Sequence, residues 1–158
     1  MERRFDYPQV LKLAKVFNKH KVKYMFIGKS GAIILGYPDT TQDVDIYPAK
    51  SRENCKNLVK ALLELKFPLS KKDRQEILKG KDFVQIRKGP FDVDLVFAPD
   101  GIESFEEAYG RSVKTEGLVV CSLDDIIKSK EKAGRRKDKE SLDRLKEFKA
   151  WLKDNKKN

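Results

Sequence analysis

The chain has 158 residues and a net charge of +10, because 35 Lys and Arg stand against 25 Asp and Glu. A single domain is expected at this length, and the positive excess favours an anionic partner such as RNA or a nucleotide, although a solvated, charge-rich surface is the bland alternative. Membrane insertion and export are not expected, since no run reaches the ~20 apolar residues of a membrane span and no signal-peptide core follows Met1, so we expect a cytoplasmic protein.

The first half of the chain alternates helices and strands, each predicted from the spacing of its apolar residues. In chain order, we predict a helix over residues 8–20, a strand over 24–28, a short helix over 30–35, a strand over 43–47 and a helix over 51–65. Residues 68–81 are polar and Lys-rich, and we predict a loop or a short helix there.

The second half adds a hairpin, two short strands and two longer helices. We predict strands over 83–87 and 91–97, a weak helix over 101–109, short strands over 112–114 and 118–120, a helix over 122–132 and a final helix over 138–152. Ser122 and Asp125 form a capping box, and Trp151 is assigned to the core rather than to a base-stacking surface. Residues 153–158 are expected to be a frayed basic tail, which leaves a single domain over 1–152. The mixture of elements predicts an α/β (α+β) class with a small mixed sheet flanked by helices.

A glycine turn and a pair of aspartates are the strongest chemical signal. Gly28 and Ser30 follow an apolar strand, and Asp43 and Asp45 lie one residue apart on the next one. Residues i and i+2 of a strand point to the same face, about 7 Å apart, so both carboxylates can converge on divalent cations. Glycine lets the backbone approach a phosphate closely, and a hydroxyl can donate to it. This layout is typical of a site that moves phosphoryl groups.

A later apolar strand supplies a further acid. Asp92 and Asp94 lie on the segment 91–97 and share a face by the same spacing rule. Either one could therefore be the third carboxylate of the site. Three carboxylates crowded together without a cation would repel each other and raise their pKa values, and a bound metal would remove that conflict.

The order of these motifs resembles the nucleotidyltransferase superfamily that includes the DNA polymerase beta palm, in its small, minimal form. The resemblance rests on Gly28-x-Ser30, on Asp43-Val-Asp45-Ile and on the later strand Val-Asp94-Leu. It implies a polymerase beta-palm-like fold with carboxyl-terminal helices. It also implies that Asp43, Asp45 and Asp94 hold Mg²⁺ or Mn²⁺, with Asp94 preferred over Asp92 because its context matches the family's third acid.

The tail of the chain is most similar to the branch that contains the AbiEii-type and MenT-type toxins. Lys130 is followed there by Arg135-Arg-Lys137-Asp138. By this resemblance, Lys130 and Arg135 supply positive charge to a nucleoside triphosphate, and Asp138 holds a cation in place or contacts the acceptor. Without the resemblance, the same segment is an ordinary solvated basic run.

Two positions depart from the family pattern. This chain has Lys29 where members usually have Gly or Ser, and Asp39 where they often have Arg. Lys29 is still expected to bind the nucleotide, with its side-chain charge in place of a backbone contact. These departures also favour an alternative in which the fold is kept and catalysis is lost.

The resemblance implies an enzyme that transfers a nucleoside monophosphate from a triphosphate to an acceptor hydroxyl. RNA, most readily tRNA, is the expected acceptor, and the protein would then act as the toxin of a toxin-antitoxin pair with an antitoxin as partner. Two alternatives stay open. One is transfer to a small molecule or a protein hydroxyl, and the other is an inert RNA-binding or regulatory module.

Overall fold

The structure, a computed structural model, describes residues 6–134 and 138–156. Its strands are β1 (Tyr24–Ile27), β2 (Asp43–Pro48), β3 (Phe83–Ile86), β4 (Asp92–Val96), β5 (Val113–Thr115) and β6 (Leu118–Val120). They form one sheet in the order β3-β4-β2-β1-β6-β5. β1 is antiparallel to β2 and parallel to β6, and β2 is parallel to β4. The predicted mixed sheet is therefore confirmed, and antiparallel hairpins form both of its edges.

Helices flank this sheet, and their order matches the predicted alternation. Within the described residues they are α1 (Tyr7–Lys19), α2 (Gly28–Ile34), α3 (Arg52–Glu64), α4 (Lys71–Lys79), α5 (Phe105–Gly110), α6 (Leu123–Ala133) and α7 (Asp138–Lys156). The carboxyl-terminal helices α6 and α7 pack on each other, and α6 also packs on α2. None of these helices combines the length and the apolar character needed to cross a bilayer.

Two segments are more helical than the apolar pattern alone suggested. The polar segment 68–81 contains α4, which begins with a capping box in which Ser70 and Asp73 each accept a backbone N–H of the other. Reciprocal caps of this kind stabilise a helix that has few buried residues. The last helix, α7, continues to Lys156, four residues beyond the predicted end at Leu152.

The predicted capping box of α6 is only half formed. The hydroxyl of Ser122 accepts the backbone N–H of Asp125, as expected. The Asp125 carboxylate, however, accepts from Arg111 Nε and Nη2 at 3.0 and 3.1 Å instead of returning to the Ser122 backbone. The Arg111 guanidinium offers the carboxylate two bonds and an opposite charge, whereas the Ser122 N–H offers one bond from a neutral donor, so the tertiary partner wins.

The core lies on both sides of the central strands. Every residue of β1 is buried, and Tyr24 makes edge-to-face contacts with Phe17 and Phe26 at centroid distances of 4.9 and 5.4 Å. The assignment of Trp151 to the core is wrong, because its side chain is 58% exposed. It stacks on the outer side of Phe148, which is itself buried, so the core ends one layer earlier.

Candidate active site

The predicted acids meet on one face of the sheet because β2 and β4 are parallel neighbours. Their register pairs Asp45 with Asp94 and Asp43 with Asp92. Paired residues of adjacent strands point to the same face, and i, i+2 residues share it too. The structure thus brings together all three predicted carboxylates, with Asp92 beside them.

The electrostatics of Asp45 reflect this crowding. Burial, then the charges of Asp94 and Asp43, raise the pKa of Asp45 to about 7, and a hydrogen bond to Asp94 acts in the same direction. Burial and the charge of Asp94 also raise the pKa of Asp43, opposed by the charge of Arg87. The carboxylates are therefore close enough to repel each other, as expected for a site built to receive cations.

Gly28, the first residue of α2, brings the backbone close to the acids. Its φ is +65°, in the left-handed region, and a Cβ at this position would lie 2.6 Å from Oδ2 of Asp45. Any larger residue would have to displace the carboxylate. The sequence predicted a close backbone approach to a phosphate at Gly28, and the structure adds an equally close approach to Asp45.

Ser30, on α2, connects this helix to β2. Its hydroxyl is fully buried, donates to the carbonyl of Ile27 at 3.2 Å and accepts the backbone N–H of Asp45 at 2.9 Å. These contacts fix Asp45 relative to β1 and α2. The phosphate contact predicted for this hydroxyl stays a prediction, since both of its hydrogen bonds point into the protein.

Lys29, the second residue of α2, forms an ion pair with Asp39. Nζ of Lys29 lies 3.2 Å from Oδ2 of Asp39. A hydrogen bond from the backbone of Thr40 and the pairing with Lys29 lower the pKa of Asp39, and the charge of Arg144 on α7 contributes. Arg144 was missed from the sequence because nothing in its neighbourhood on α7 distinguishes it from the other basic residues.

Lys130, on α6, lies near enough to the acids for its charge to act on them, and its predicted contact with a triphosphate stays a prediction. Its charge acts on Asp45, where it opposes the rise in pKa. Its Nζ also donates to Oγ of Ser141 at 3.2 Å, which connects α6 to α7. Arg135 and the side chain of Asp138 lie outside the described residues.

Arg87 is the second residue that the sequence did not single out. It directly follows β3, and its Nη1 lies 2.8 Å from Oδ1 of Asp94. Both atoms are buried, and the contact is an ion pair between opposite charges. The signal was available, because the hairpin pairs Ile86 with Val93 and so places Arg87 beside Asp92.

The donor set fits a hard divalent cation in its chemistry. Mg²⁺ prefers carboxylate oxygens, and Oδ1 of Asp94 is a buried acceptor without an aligned donor in the described part of the chain. Within residues 6–134 and 138–156, no three Asp, Glu, His or Cys side chains lie close enough together to enclose an ion. Asp43, Asp45 and Asp94 are the residues that would hold such an ion, and to do so their carboxylates would have to turn towards a common point.

One solved structure relates this architecture to a known protein. It is TM1012 from Thermotoga maritima, described as a "putative nucleotidyltransferase", and it superposes with a TM-score of 0.53 over 96% of this chain and 97% of that one. The two chains share a fold. Their sequence identity is 21%, which supports the fold alone. The predicted architecture, a small mixed sheet flanked by helices with carboxyl-terminal helices, is confirmed, whereas the toxin branch stays a prediction. No family model and no curated protein matches the sequence.

Proposed function

We propose that the protein is a divalent-metal-dependent nucleotidyltransferase that moves a nucleoside monophosphate from a triphosphate to an acceptor hydroxyl. The observation that carries this proposal is the parallel register of β2 and β4, which sets Asp45 beside Asp94 with Asp43 on the same face. The close approach of Gly28 to Asp45 and the fold shared with the Thermotoga protein support it.

The reaction needs a base, charge neutralisation and a seat for the phosphates. The acceptor oxygen bonds to the α-phosphorus, the bond from that phosphorus to the bridging oxygen breaks, and pyrophosphate leaves. Bound Mg²⁺ or Mn²⁺, held by Asp43, Asp45 and Asp94, would supply the neutralisation of charge on the attacking and leaving oxygens. Asp94 is our candidate either as a ligand or as the group that takes the hydroxyl proton.

The phosphates of the triphosphate would lie against the start of α2 and the carboxyl-terminal helices α6 and α7. Gly28 leaves the backbone accessible, and no side chain caps the amino end of α2. Lys29, on α2, is paired with Asp39, and the charge of Lys130 acts on Asp45, so both residues bring positive charge to the region of the acids. We assign them, together with Arg135 and Asp138, to triphosphate binding.

RNA is the acceptor class that the charge favours. The net charge is +10, and a polyanion binds such a surface through the release of counterions. The narrower proposal of a tRNA-modifying toxin, held in check by an antitoxin, rests on the sequence of the tail around Lys130.

The test is transfer of label from each α-labelled nucleoside triphosphate to total RNA in the presence of Mg²⁺. We expect labelled RNA with the native protein and none with Asp43→Asn or Asp45→Asn. Asp94→Asn should abolish transfer and Asp92→Asn should reduce it less. The exposed Asp100→Asn is the matched control and should leave transfer unchanged. Label in the protein itself would instead indicate a protein hydroxyl as acceptor.

An inert RNA-binding module is the second candidate. Two ion pairs favour it, since Arg87 lies against Asp94 and Asp39 lies against Lys29. Calorimetric titration separates the two proposals. Tight RNA binding without Mg²⁺-dependent binding of a nonhydrolysable triphosphate would support the inert module, whereas metal-dependent nucleotide binding would support the enzyme.

A further inference from the structure

We propose that Arg87 is a built-in counter-ion of the candidate metal site, which holds Asp94 in the metal-free protein and is displaced when a divalent cation binds. This inference rests on the proposed function, because it describes the same carboxylates. It gives a positioning role to Arg87, which directly follows β3 and belongs to none of the predicted site motifs.

The first argument is the contact itself. Nη1 of Arg87 lies 2.8 Å from Oδ1 of Asp94, and Asp43 and Asp92 are also within electrostatic range of the guanidinium. One cation therefore serves several carboxylates of the face. A divalent ion bound to Asp94 would compete with the guanidinium for the same oxygen, since two cations on one oxygen repel each other.

The second argument is that the two partners differ in their freedom to move. The Asp94 side chain is 11% exposed and is fixed on an inner strand, whereas the Arg87 side chain is 39% exposed. Arg87 follows β3, which forms one edge of the sheet. The guanidinium can therefore rotate towards solvent while the carboxylate stays in place.

The third argument is the geometry of the pair. A permanent structural pair between Arg and a carboxylate is typically bidentate and hydrogen-bonded, as Arg111 and Asp125 are in this protein. The pair of Arg87 and Asp94 meets through one guanidinium nitrogen and one carboxylate oxygen, Nη1 and Oδ1, without the second parallel bond of a bidentate pair. A cation held through one contact is easier to displace than one held through two.

Removal of the Arg87 charge should therefore have opposite effects with and without metal. In the metal-free protein, Arg87→Met leaves the carboxylates without their counter-ion, so the melting temperature should fall. With metal present this loss should disappear, because the ion supplies the missing charge. The Kd for Mn²⁺ should fall about tenfold, since a competing cation has been removed.

The experiment is a Mn²⁺ titration followed by electron paramagnetic resonance, with melting curves recorded in chelator and in Mg²⁺. The variants are Arg87→Met, Arg87→Lys and the control Lys88→Met, which removes the exposed neighbouring charge without touching Asp94. We expect the Lys variant to lie between native and Met, and the control to match native. Side-chain ¹⁵N spectra of native protein should show the Arg87 Nε–H signal shift as Mg²⁺ is added.

The outcomes separate this inference from the proposed function. If native protein does not bind Mn²⁺ in a way that Asp45→Asn abolishes, the proposed function fails and this inference fails with it. If native protein binds Mn²⁺ but Arg87→Met and Lys88→Met bind it with the native Kd, only the role of Arg87 is overturned. An Arg87 signal unmoved by saturating Mg²⁺ would overturn it as well, even if the Met variant did not fold.

Discussion

Nζ of Lys29 and Oδ2 of Asp39 lie 3.2 Å apart, so the two positions that depart from the nucleotidyltransferase pattern are ion-pair partners. Lys29 is the second residue of α2, which begins at Gly28. Each departure neutralises the charge of the other, and the positive charge of Arg144 also acts on Asp39.

Removal of the Asp39 charge should therefore strengthen triphosphate binding. Asp39→Asn releases Lys29 and removes a negative charge close to the phosphate tail, so we expect the Kd to fall about three- to tenfold at low salt. Lys29→Met should raise it. Calorimetric titration with a nonhydrolysable triphosphate measures both. Glu103→Gln, an exposed acid on another loop, is the charge control, and an equal gain in that variant would show that only net charge matters.

The stability of the metal-free protein should fall as the pH rises. Asp45 has a folded pKa of about 7 against an ordinary value of 3.8, so the folded state binds its proton more tightly than the unfolded state does. The stabilisation is complete below the unfolded pKa and is lost as the pH rises through the folded pKa. The raised pKa of Asp43 acts in the same direction.

Denaturant unfolding in chelator at about pH 5 and about pH 8 tests this pH dependence. We expect Asp45→Asn to flatten the profile and to stabilise the protein by about 1–3 kcal/mol at the higher pH. Mg²⁺ should produce a similar gain in the native protein. Parallel profiles for the native protein and the variant would contradict the role assigned to Asp45.

A side chain at Gly28 should cost more than its backbone conformation alone explains. Both Gly28 and Gly117 have positive φ, +65° and +79°, but a Cβ at Gly117 meets no atom within 4 Å. Gly117→Ala therefore reports the left-handed penalty of about 1–2 kcal/mol. Gly28→Ala should exceed it by about 1 kcal/mol or more, because its Cβ would overlap Asp45. Equal losses in denaturant unfolding would mean that the carboxylate simply moves away.

Ser30→Ala should destabilise the site through the backbone of Asp45. The variant loses the acceptor of the Asp45 N–H and leaves that donor unpaired, which costs about 1–3 kcal/mol. Ser129→Ala, on the half-buried side of α6, is the matched control and should change stability by less than about 0.5 kcal/mol. Native stability of Ser30→Ala with lost triphosphate binding would instead support the direct phosphate contact predicted from the sequence.

The acids and their strands could be predicted because the information is local. The i, i+2 spacing fixes the shared face of Asp43 and Asp45, and the hairpin turn fixes the pairing of β3 with β4. The placement of β4 beside β2 is not local, since it depends on how the intervening helices pack. The register that pairs Asp94 rather than Asp92 with Asp45 came only from the structure.

The missed features share a physical cause, which is competition between local and distant partners. Asp125 could have completed its cap, but Arg111 offered two charge-assisted bonds. Helical spacing placed Trp151 on the same side as Phe148, yet it could not show where the neighbouring layer ends. Arg87 ends the predicted strand 83–87, and the hairpin places it beside Asp92, but nothing local shows that its side chain reaches Asp94.

The pairing of β2 with β4 makes the carboxylate face a property of the finished sheet. The elements α3, α4 and β3 lie between the two strands in the chain, so Asp45 and Asp94 become neighbours only when β2 and β4 have paired across them. A nascent or partly unfolded chain therefore has no such neighbours to offer an ion. Divalent cations would act late in folding, as ligands that select the fully assembled molecules from the rest of the population.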